Sequence, residues 1–185
     1  MAEFTETTPW LTIIGLGEDG WEGLPSASRA ALDAAELVAG SARHLALLPR
    51  LRAERLEWPM PFADGIPILL AQRGRRVAML ASGDPFWFGA GSSVTRHLGA
   101  HEWQALPAAS TFGLAAARLG WPLEHLTCLG LHAAPLARLR PHLHTGERLL
   151  LLLRDGAAVA ALARYLVDND FGASAMSVLE ALGGP

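Results

Sequence analysis

The stretch that decides the fold is Thr12-Ile13-Ile14-Gly15-Leu16-Gly17-Glu18-Asp19-Gly20. Its first half is apolar and rich in β-branched residues, which is typical of a buried strand. Its second half is a glycine-rich loop that reads G-x-G-x-x-G, with glycines at positions 15, 17 and 20. Such a loop directly after a strand is typical of a backbone that closely approaches a phosphate group. Whether the loop has that role here depends on the residues that follow it.

The residues after the loop disfavour a nicotinamide site. In dinucleotide-binding folds the helix begins at the glycines, so that its N-terminus faces the pyrophosphate. Here the expected helix starts only near Ser26, after Pro25. The next expected strand, residues 36–39, carries its acidic residue at its start, whereas a ribose-binding carboxylate belongs at the strand's end. A nicotinamide-binding oxidoreductase therefore stays an alternative, beside a tight turn that binds no ligand.

Beyond the loop, strand and helix patterns alternate. Strands are expected at residues 10–14, 36–39, 76–81, 102–106 and 126–131, helices at residues 26–35, 43–48, 68–72, 92–98 and 111–119, and irregular structure at residues 50–61. This alternation predicts an α/β fold whose first domain has a mainly parallel sheet with crossover helices. Small and polar residues follow several of the strands at their carboxyl ends, where open α/β sheets bind ligands.

The pattern changes after residue 132, and we place a domain boundary there. The expectation is an N-terminal α/β domain over residues 1–132 and the start of a C-terminal α/β domain over residues 133–185. In the second domain the sequence predicts strands at 149–153 and 175–179 around a helix at 157–168, and hence a small mixed sheet. Because so small a sheet needs further strands for stability, we expect this domain to be truncated and the natural protein to continue.

Composition narrows the function classes. The chain has 185 residues, a net charge of −3 and 15 basic residues, all of them arginine. The acidic balance disfavours a nucleic-acid partner, and the lack of lysine excludes a Schiff-base or Walker-type lysine. The single cysteine, Cys128, excludes a disulfide framework, and the seven histidines show no zinc spacing with it, so no metal is expected. The polar N-terminus and the shortness of the longest apolar run, residues 149–153, predict a cytoplasmic protein without membrane contact.

Several blocks in order along the chain resemble one family, the tetrapyrrole methylases, which are class III S-adenosylmethionine-dependent methyltransferases. The blocks are Ile14-Gly15-Leu16-Gly17-Glu18-Asp19-Gly20, Leu24-Pro25-Ser26-Ala27, Ala34-Ala35-Glu36-Leu37-Val38-Ala39-Gly40, Leu80-Ala81-Ser82-Gly83-Asp84-Pro85 with Gly89, and Leu106-Pro107-Ala108-Ala109-Ser110-Thr111. The fourth block resembles the family's Gly-Asp-Pro motif, and the fifth its Pro-Gly-x-Ser-Ser motif, with Ala108 in place of the glycine.

Further blocks resemble the family members that act on precorrin-6Y in cobalamin biosynthesis. They are Gly17-Glu18-Asp19-Gly20 followed by Gly23-Leu24, Gly40-Ser41-Ala42-Arg43-His44-Leu45, Leu129-Gly130-Leu131-His132, Leu152-Leu153-Arg154-Asp155-Gly156, and Leu179-Glu180-Ala181-Leu182-Gly183-Gly184-Pro185. Gly130 and Arg154 stand where that subgroup has serine and threonine. The resemblance covers nearly the whole chain and implies methyl transfer from S-adenosylmethionine to meso carbon 5 of a reduced tetrapyrrole.

The resemblance also implies a site in a cleft between two domains. The implied cofactor-binding residues are Leu16, Gly83, Asp84, Trp87, Ser110, Thr111 and Leu153, and the implied substrate-binding residues are Gly15, Gly17 and Arg43. Glu18, Asp19 and His132 are candidates for accepting the proton released after methylation, with solvated loop acids and a satisfied histidine as the rival interpretations. Arginines such as Arg43 suit the several carboxylates of such a substrate.

The resemblance leaves partners and alternatives open. It implies a homodimer or higher oligomer, and a second methyltransferase or decarboxylase domain, fused or separate. The alternative within the fold is another substrate, such as a different precorrin, a diphthamide precursor or ribosomal RNA, although RNA would favour a basic groove. The alternatives of another class are the nicotinamide-binding oxidoreductase and a non-catalytic binding fragment.

Overall fold

The structure is a computed structural model, and it describes residues 8–184. The chain divides into two compact units. The first runs to Thr111 and also includes the residues from Gly183 onward, and the second is Phe112–Leu182. The two units are described separately below.

The first unit is built on a five-stranded parallel sheet in the order β3-β2-β4-β1-β5. The strands are β1 (Leu11–Leu16), β2 (Leu37–Gly40), β3 (Glu54–Glu57), β4 (Val77–Ser82) and β5 (Trp103–Leu106). Every residue of β1 and β2 is buried, as expected for central strands of a parallel sheet covered on both faces. The predicted α/β fold with a mainly parallel sheet is confirmed.

Two apolar cores cover the two faces of this sheet. The helices of the first unit are α1 (Gly20–Gly23), α2 (Ser26–Ala34), α3 (Ala42–Ala46), α4 (Gly65–Leu70) and α5 (Ala90–Val94). One core joins Leu32 of α2 and Leu45 of α3 to Ile14 of β1 and to its neighbours in β2 and β4. The other core joins Leu69 of α4 and Val94 of α5 to the opposite side chains of the same strands.

These cores determine where the chain leaves the central strands. The connection from β1 through α2 to β2 crosses one face, whereas the connection from β4 through α5 to β5 crosses the other. Because β1 and β4 are neighbours, the loops at their carboxyl ends separate and leave a crevice between them. The candidate site is therefore expected at the carboxyl edge of β1 and β4.

Two local predictions for this unit are wrong. Residues 50–61 were expected to be irregular but contain β3. The sequence Glu-Arg-Leu-Glu of β3 lacks a buried apolar face, because this strand is short and is the outermost strand of the sheet. The expected delay before the first helix contains the helical turn α1, which begins at Gly20 with a positive φ of 57°. The predicted main helix after the delay is confirmed as α2.

The second unit contains α6 (Thr111–Leu119, which begins at the boundary), β6 (Thr127–Gly130), β7 (Leu149–Leu152) and α7 (Gly156–Asp168). Strands β6 and β7 form a parallel pair. Phe112 and Ala116 of α6 pack with Leu150 of β7, and Leu162 and Leu166 of α7 belong to a second cluster.

Two features of the second unit differ from the sequence-based expectation. Residues 175–179 form no strand, because no other described segment offers them a ladder partner, so the sheet is a parallel pair rather than a mixed sheet. Residues 112–132 group with the second unit, whereas we placed the boundary after residue 132. The physical reason is that β6 pairs with β7 and α6 packs onto β7.

Candidate functional site

Backbone hydrogen bonds tie together the loops that follow β1, β4 and β5. The backbone N–H of Gly83, after β4, donates to the carbonyl oxygen of Leu16 at the end of β1, over 3.0 Å. The carbonyl oxygen of Gly83 accepts from the N–H of Ala108, after β5, over 3.1 Å. Gly83 is thus the centre of a junction that holds the carboxyl ends of the strands in fixed relative positions.

The junction requires glycine at two positions. A Cβ on Gly15 would overlap the carbonyl oxygen of Gly83 and the backbone nitrogen of Ala108. Gly83 itself has a positive φ of 54°, and a Cβ there would lie 2.9 Å from the carbonyl oxygen of Ala109 and 3.2 Å from the Cα of Ser110. Close backbone packing therefore accounts for both glycines. The proposed substrate contact of Gly15 is not needed to explain its presence.

The loop after β4 is held by Asp84. Its Oδ1 accepts from the backbone N–H of Phe86 over 2.8 Å, which is the local turn expected of an aspartate in such a loop. The next residues, Phe86, Trp87 and Phe88, are all exposed, by 42%, 38% and 46%. The ring of Phe86 lies 5.3 Å from that of Trp103 on β5. This loop after β4, which we call the aromatic loop, thus has three exposed rings, and Phe86 packs beside Trp103, the first residue of β5.

Ser110 and Thr111 lie beside Gly83, at the start of this loop. The position of a Cβ on Gly83 is 3.2 Å from the Cα of Ser110 and 3.5 Å from the backbone nitrogen of Thr111. Thr111 is exposed and is the first residue of α6. The structure therefore brings together Gly83, Asp84, Ser110 and Thr111, all of which we had expected to bind the cofactor.

A polar cluster lies at the same edge, formed by Glu18 after β1, Arg43 and His44 of α3, and Ser82 at the end of β4; we call it the Arg43 cluster. Arg43 Nη1 forms an ion pair with Glu18. Arg43 Nη2 donates to Ser82 Oγ over 3.2 Å and lies 3.3 Å from His44 Nε2. His44 Nε2 is in turn 3.0 Å from Ser82 Oγ. The Arg43 cluster thus connects the ends of β1, β2 and β4.

Burial, more than the charges of the Arg43 cluster, determines the protonation state of His44. Burial, and secondly the charge of Arg43, lower the pKa of His44 from 6.5 to about 4, although Glu18 opposes the shift. The imidazole is therefore neutral near pH 7. Since Arg43 can only donate, His44 Nε2 accepts, and Ser82 accepts from Arg43 and donates its hydroxyl proton to His44. This order places the imidazole proton on Nδ1.

The remaining predicted residues have diverse surroundings. The carboxylate of Asp19 lies against the Cα atoms of Gly17 and Gly23, since a Cβ on either glycine would meet its oxygens. In the second unit, His132 and Leu153 both line an open pocket of about 650 Å³ between the ends of β6 and β7 and the start of α7. His132 itself is exposed. The proton-accepting roles of Glu18, Asp19 and His132 stay predictions.

Sequence reasoning missed His44 and Ser82. Both stand next to residues that it selected, since His44 follows Arg43 and Ser82 precedes Gly83. Their contact depends on β2 and β4 being neighbours in the sheet, which the order of elements along the chain does not reveal.

Over residues 8–184 there is no group of His, Cys, Asp and Glu side chains suited to a metal ion. None of the helices in that range combines the length and the apolar character needed to cross a membrane.

Comparison with known proteins relates this geometry to a family. Residues 10–185 match the family model described as Tetrapyrrole (Corrin/Porphyrin) Methylases. The chain is 46% identical over 178 residues to a precorrin-6Y C(5,15)-methyltransferase [decarboxylating] from Sinorhizobium sp, covering 96% of this chain and 43% of that protein. It is 29% identical over 122 residues to a cobalt-precorrin-7 C(5)-methyltransferase from Salmonella typhimurium, covering 66% of this chain and 61% of that protein.

A solved structure agrees with these relatives. The crystal structure of a precorrin-6Y methylase of cobalamin biosynthesis from Archaeoglobus fulgidus matches with a TM-score of 0.55 and 28% identity, over 77% of this chain and 72% of that one. This chain therefore spans less than half of the Sinorhizobium relative but most of the archaeal enzyme. The match to the family model over nearly the whole chain shows that this chain belongs to the tetrapyrrole methylase family.

Proposed function

We propose that this chain binds S-adenosylmethionine and methylates meso carbon 5 of a reduced tetrapyrrole of the precorrin-6Y type, in cobalamin biosynthesis. The observation that carries the proposal is the junction at Gly83, which joins the family's sequence blocks at the carboxyl edge of β1, β4 and β5. The names of the relatives support the substrate class. Because the chain spans only 43% of the Sinorhizobium protein, the activity of that whole protein is not transferred to it.

The choice of carbon 5 has its own support. The Sinorhizobium relative is named for methylation at both carbons 5 and 15, whereas the Salmonella relative is named for carbon 5 alone. The Salmonella protein matches 66% of this chain. The part of the Sinorhizobium protein that this chain matches is therefore favoured as the part that methylates carbon 5.

The residues at the carboxyl edge fit the chemical groups of S-adenosylmethionine. The exposed rings of Phe86 and Trp87 suit a planar base and a sulfonium charge. Thr111 is exposed, and a hydroxyl group suits a ribose or amino-acid group. Gly83, without a side chain, lets the backbone of Ala109 and Ser110 pack close to the loop after β4. In the second unit, Leu153 lines an open pocket and is the proposed further contact.

Methyl transfer from S-adenosylmethionine requires no covalent bond between the protein and either reactant. S-adenosylmethionine supplies an activated methyl group, and the electron-rich meso carbon is the nucleophile. The residues of this chain then have to align the two molecules and exclude water. The rigid junction at Gly83 suits this task, because it fixes the loops after β1, β4 and β5 relative to one another. Proton acceptance by Glu18, Asp19 or His132 stays part of the proposal.

Calorimetric titration tests the cofactor. We expect S-adenosylhomocysteine to bind and NADH not to bind, and the reverse result would exclude a methyltransferase. Asp84→Ala should weaken S-adenosylhomocysteine binding about fivefold or more, because the turn that positions the aromatic loop loses its acceptor. Asp84→Asn keeps an acceptor oxygen and should bind nearly as the wild type does. Asp33→Ala, on the exposed surface of α2, is the matched control and should have no effect.

Mass spectrometry tests the reaction. Incubation with precorrin-6Y and S-adenosylmethionine should give a product heavier by one methyl group, located at meso carbon 5 by isotope labelling. A label at carbon 15, or methylation of a different precorrin only, would overturn the proposed regiochemistry or substrate. A homodimer and a second methyltransferase or decarboxylase domain are also proposed from the family resemblance, and light scattering of this chain would test the dimer.

A further inference from the structure

The pair formed by Glu18 and Arg43 differs from other acid–arginine pairs of the sheet. In the described part of the chain, the pairs Arg73–Glu102, Arg75–Glu54 and Arg76–Glu36 lie at the amino ends of the strands. The Arg43–Glu18 pair lies at the carboxyl ends, where the candidate site is. Both of its side chains are partly exposed, by 51% and 35%, so a ligand in solution can reach them.

The two nitrogens at the end of the Arg43 guanidinium have different partners. Nη2 is held from within the protein, by Ser82 Oγ at 3.2 Å and beside His44 Nε2 at 3.3 Å. Nη1 donates to Glu18. Removal of Glu18 therefore leaves Arg43 held through Nη2, with Nη1 available to another acceptor. A guanidinium N–H of this kind binds carboxylates through strong, charge-assisted hydrogen bonds.

The two side chains beside Arg43 Nη2, His44 and Ser82, carry no negative charge that would repel an incoming anion. His44 is neutral near pH 7 and accepts a hydrogen bond, so it adds no charge. The carboxylate of Asp19 lies against Gly17 and Gly23. An exposed ion pair contributes little stability, typically up to about 1 kcal/mol, so the exchange of one carboxylate for another on Arg43 is energetically easy.

We propose that Glu18 is a built-in placeholder for a substrate carboxylate: a peripheral carboxylate of the tetrapyrrole displaces Glu18 and takes its place on Arg43, which Ser82 and His44 hold in position. The inference rests on the proposed function for its substrate class. It gives Glu18 a role in binding beside the proposed proton acceptance, and it makes Ser82 and His44 positioning residues.

The test is a fluorescence titration of this chain with uroporphyrin, a stable tetrapyrrole rich in carboxylates. Glu18→Gln should tighten binding about two- to fivefold, because it removes the competing carboxylate. Arg43→Gln should weaken binding about tenfold or more, since a charge-assisted pair is lost. The double variant should bind as weakly as Arg43→Gln alone. If Glu18 only repelled an anion, Glu18→Gln would tighten binding equally in the wild type and in Arg43→Gln. That result would show that the placeholder role is wrong.

Three further variants complete the design. Glu54→Gln makes the same change in charge and releases Arg75, but at the amino edge, and should leave the affinity unchanged. His44→Leu should weaken binding about threefold, whereas His44→Gln, which keeps an acceptor, should restore it. If His44→Leu and His44→Gln weaken binding alike, the positioning role of His44 is wrong.

The outcomes distinguish this inference from the proposed function. Wild-type protein that binds uroporphyrin, with no gain on Glu18→Gln, would overturn the placeholder role and leave the substrate class standing. Wild-type protein that binds S-adenosylhomocysteine but no carboxylated tetrapyrrole would overturn the substrate class, and the placeholder role with it. Circular dichroism of each variant confirms that the compared proteins are folded.

Discussion

The two edges of the parallel sheet in the first unit are held together in different ways. At the amino edge, acidic and arginine side chains connect strand starts: Glu102 accepts from the indole of Trp10, from Arg73 and from the backbone N–H of Gly99. At the carboxyl edge, the backbone of Gly83 connects the strand ends directly. The carboxyl edge leaves polar and aromatic side chains facing outward, among them Trp87.

This difference separates stability from function within one sheet. A carboxylate such as Glu102, with its oxygens saturated by protein donors, has little capacity left for a ligand. A junction made of backbone, in contrast, keeps the strand ends rigid without occupying side chains. The carboxyl edge can therefore present Arg43, Thr111 and the aromatic loop to a ligand.

The largest effect should come from a pair of glycine substitutions. Gly15→Ala should destabilise the protein by more than about 3 kcal/mol, because its Cβ would overlap backbone atoms of Gly83 and Ala108, which cannot move independently. Gly74→Ala, at the amino edge, should cost only about 1 kcal/mol, since it has a positive φ of 91° but open space around it. Urea unfolding of both variants measures the difference. Equal costs would mean that the junction is not rigid.

The next largest effect should be a loss of folding stability at low pH, caused by protonation of His44. Because the folded pKa is lowered to about 4, the unfolded state binds the proton more readily, and stability is lost as the pH falls from 6.5 towards 4. The loss amounts to up to about 3 kcal/mol, since one pKa unit corresponds to about 1.4 kcal/mol. His44→Gln should abolish this part of the pH dependence, whereas His97→Gln, on an exposed turn, should retain it. An unchanged profile in His44→Gln would contradict the buried neutral imidazole.

The sequence predicted the carboxyl edge better than the amino edge. The buried strand β1 and the loops at Gly83 and Ser110 could be predicted because apolar runs and glycine-rich turns are local signals. The hydrogen bonds of Glu102 could not be predicted. One of them joins Glu102 to Trp10, 92 positions away, and depends on β1 and β5 being neighbours. The contact between His44 and Ser82 was missed for the same reason.

Other misses have local causes. Strand β3 is short and its residues are mostly exposed, so it lacks the alternation that marks a strand. Residues 175–179 show the opposite case. Met176 and Val178 produce a strand-like alternation but are exposed, by 41% and 65%, and a strand forms only where another segment completes its hydrogen bonds. An alternating apolar pattern indicates a tendency to form a strand, but a strand forms only where a neighbouring segment pairs with it.

The smallest effect at neutral pH should come from Glu102→Gln at the amino edge. Hydrogen bonds, first from Arg73 and then from Gly99 and Trp10, lower the pKa of Glu102 from 4.5 to about 2. Its contribution is therefore present above pH 4.5 and is lost as the pH falls towards 2. Near pH 7 the effect should be modest, because Arg73 is exposed by 48% and the pair is screened by solvent.

Acid unfolding followed by tryptophan fluorescence measures this effect. Stability should depend less on pH in Glu102→Gln than in Glu36→Gln, which is the control because its ion pair is longer, at 3.8 Å. Binding of uroporphyrin should be the same in both variants and the wild type, and a weakened affinity in Glu102→Gln would show that the two edges are not independent.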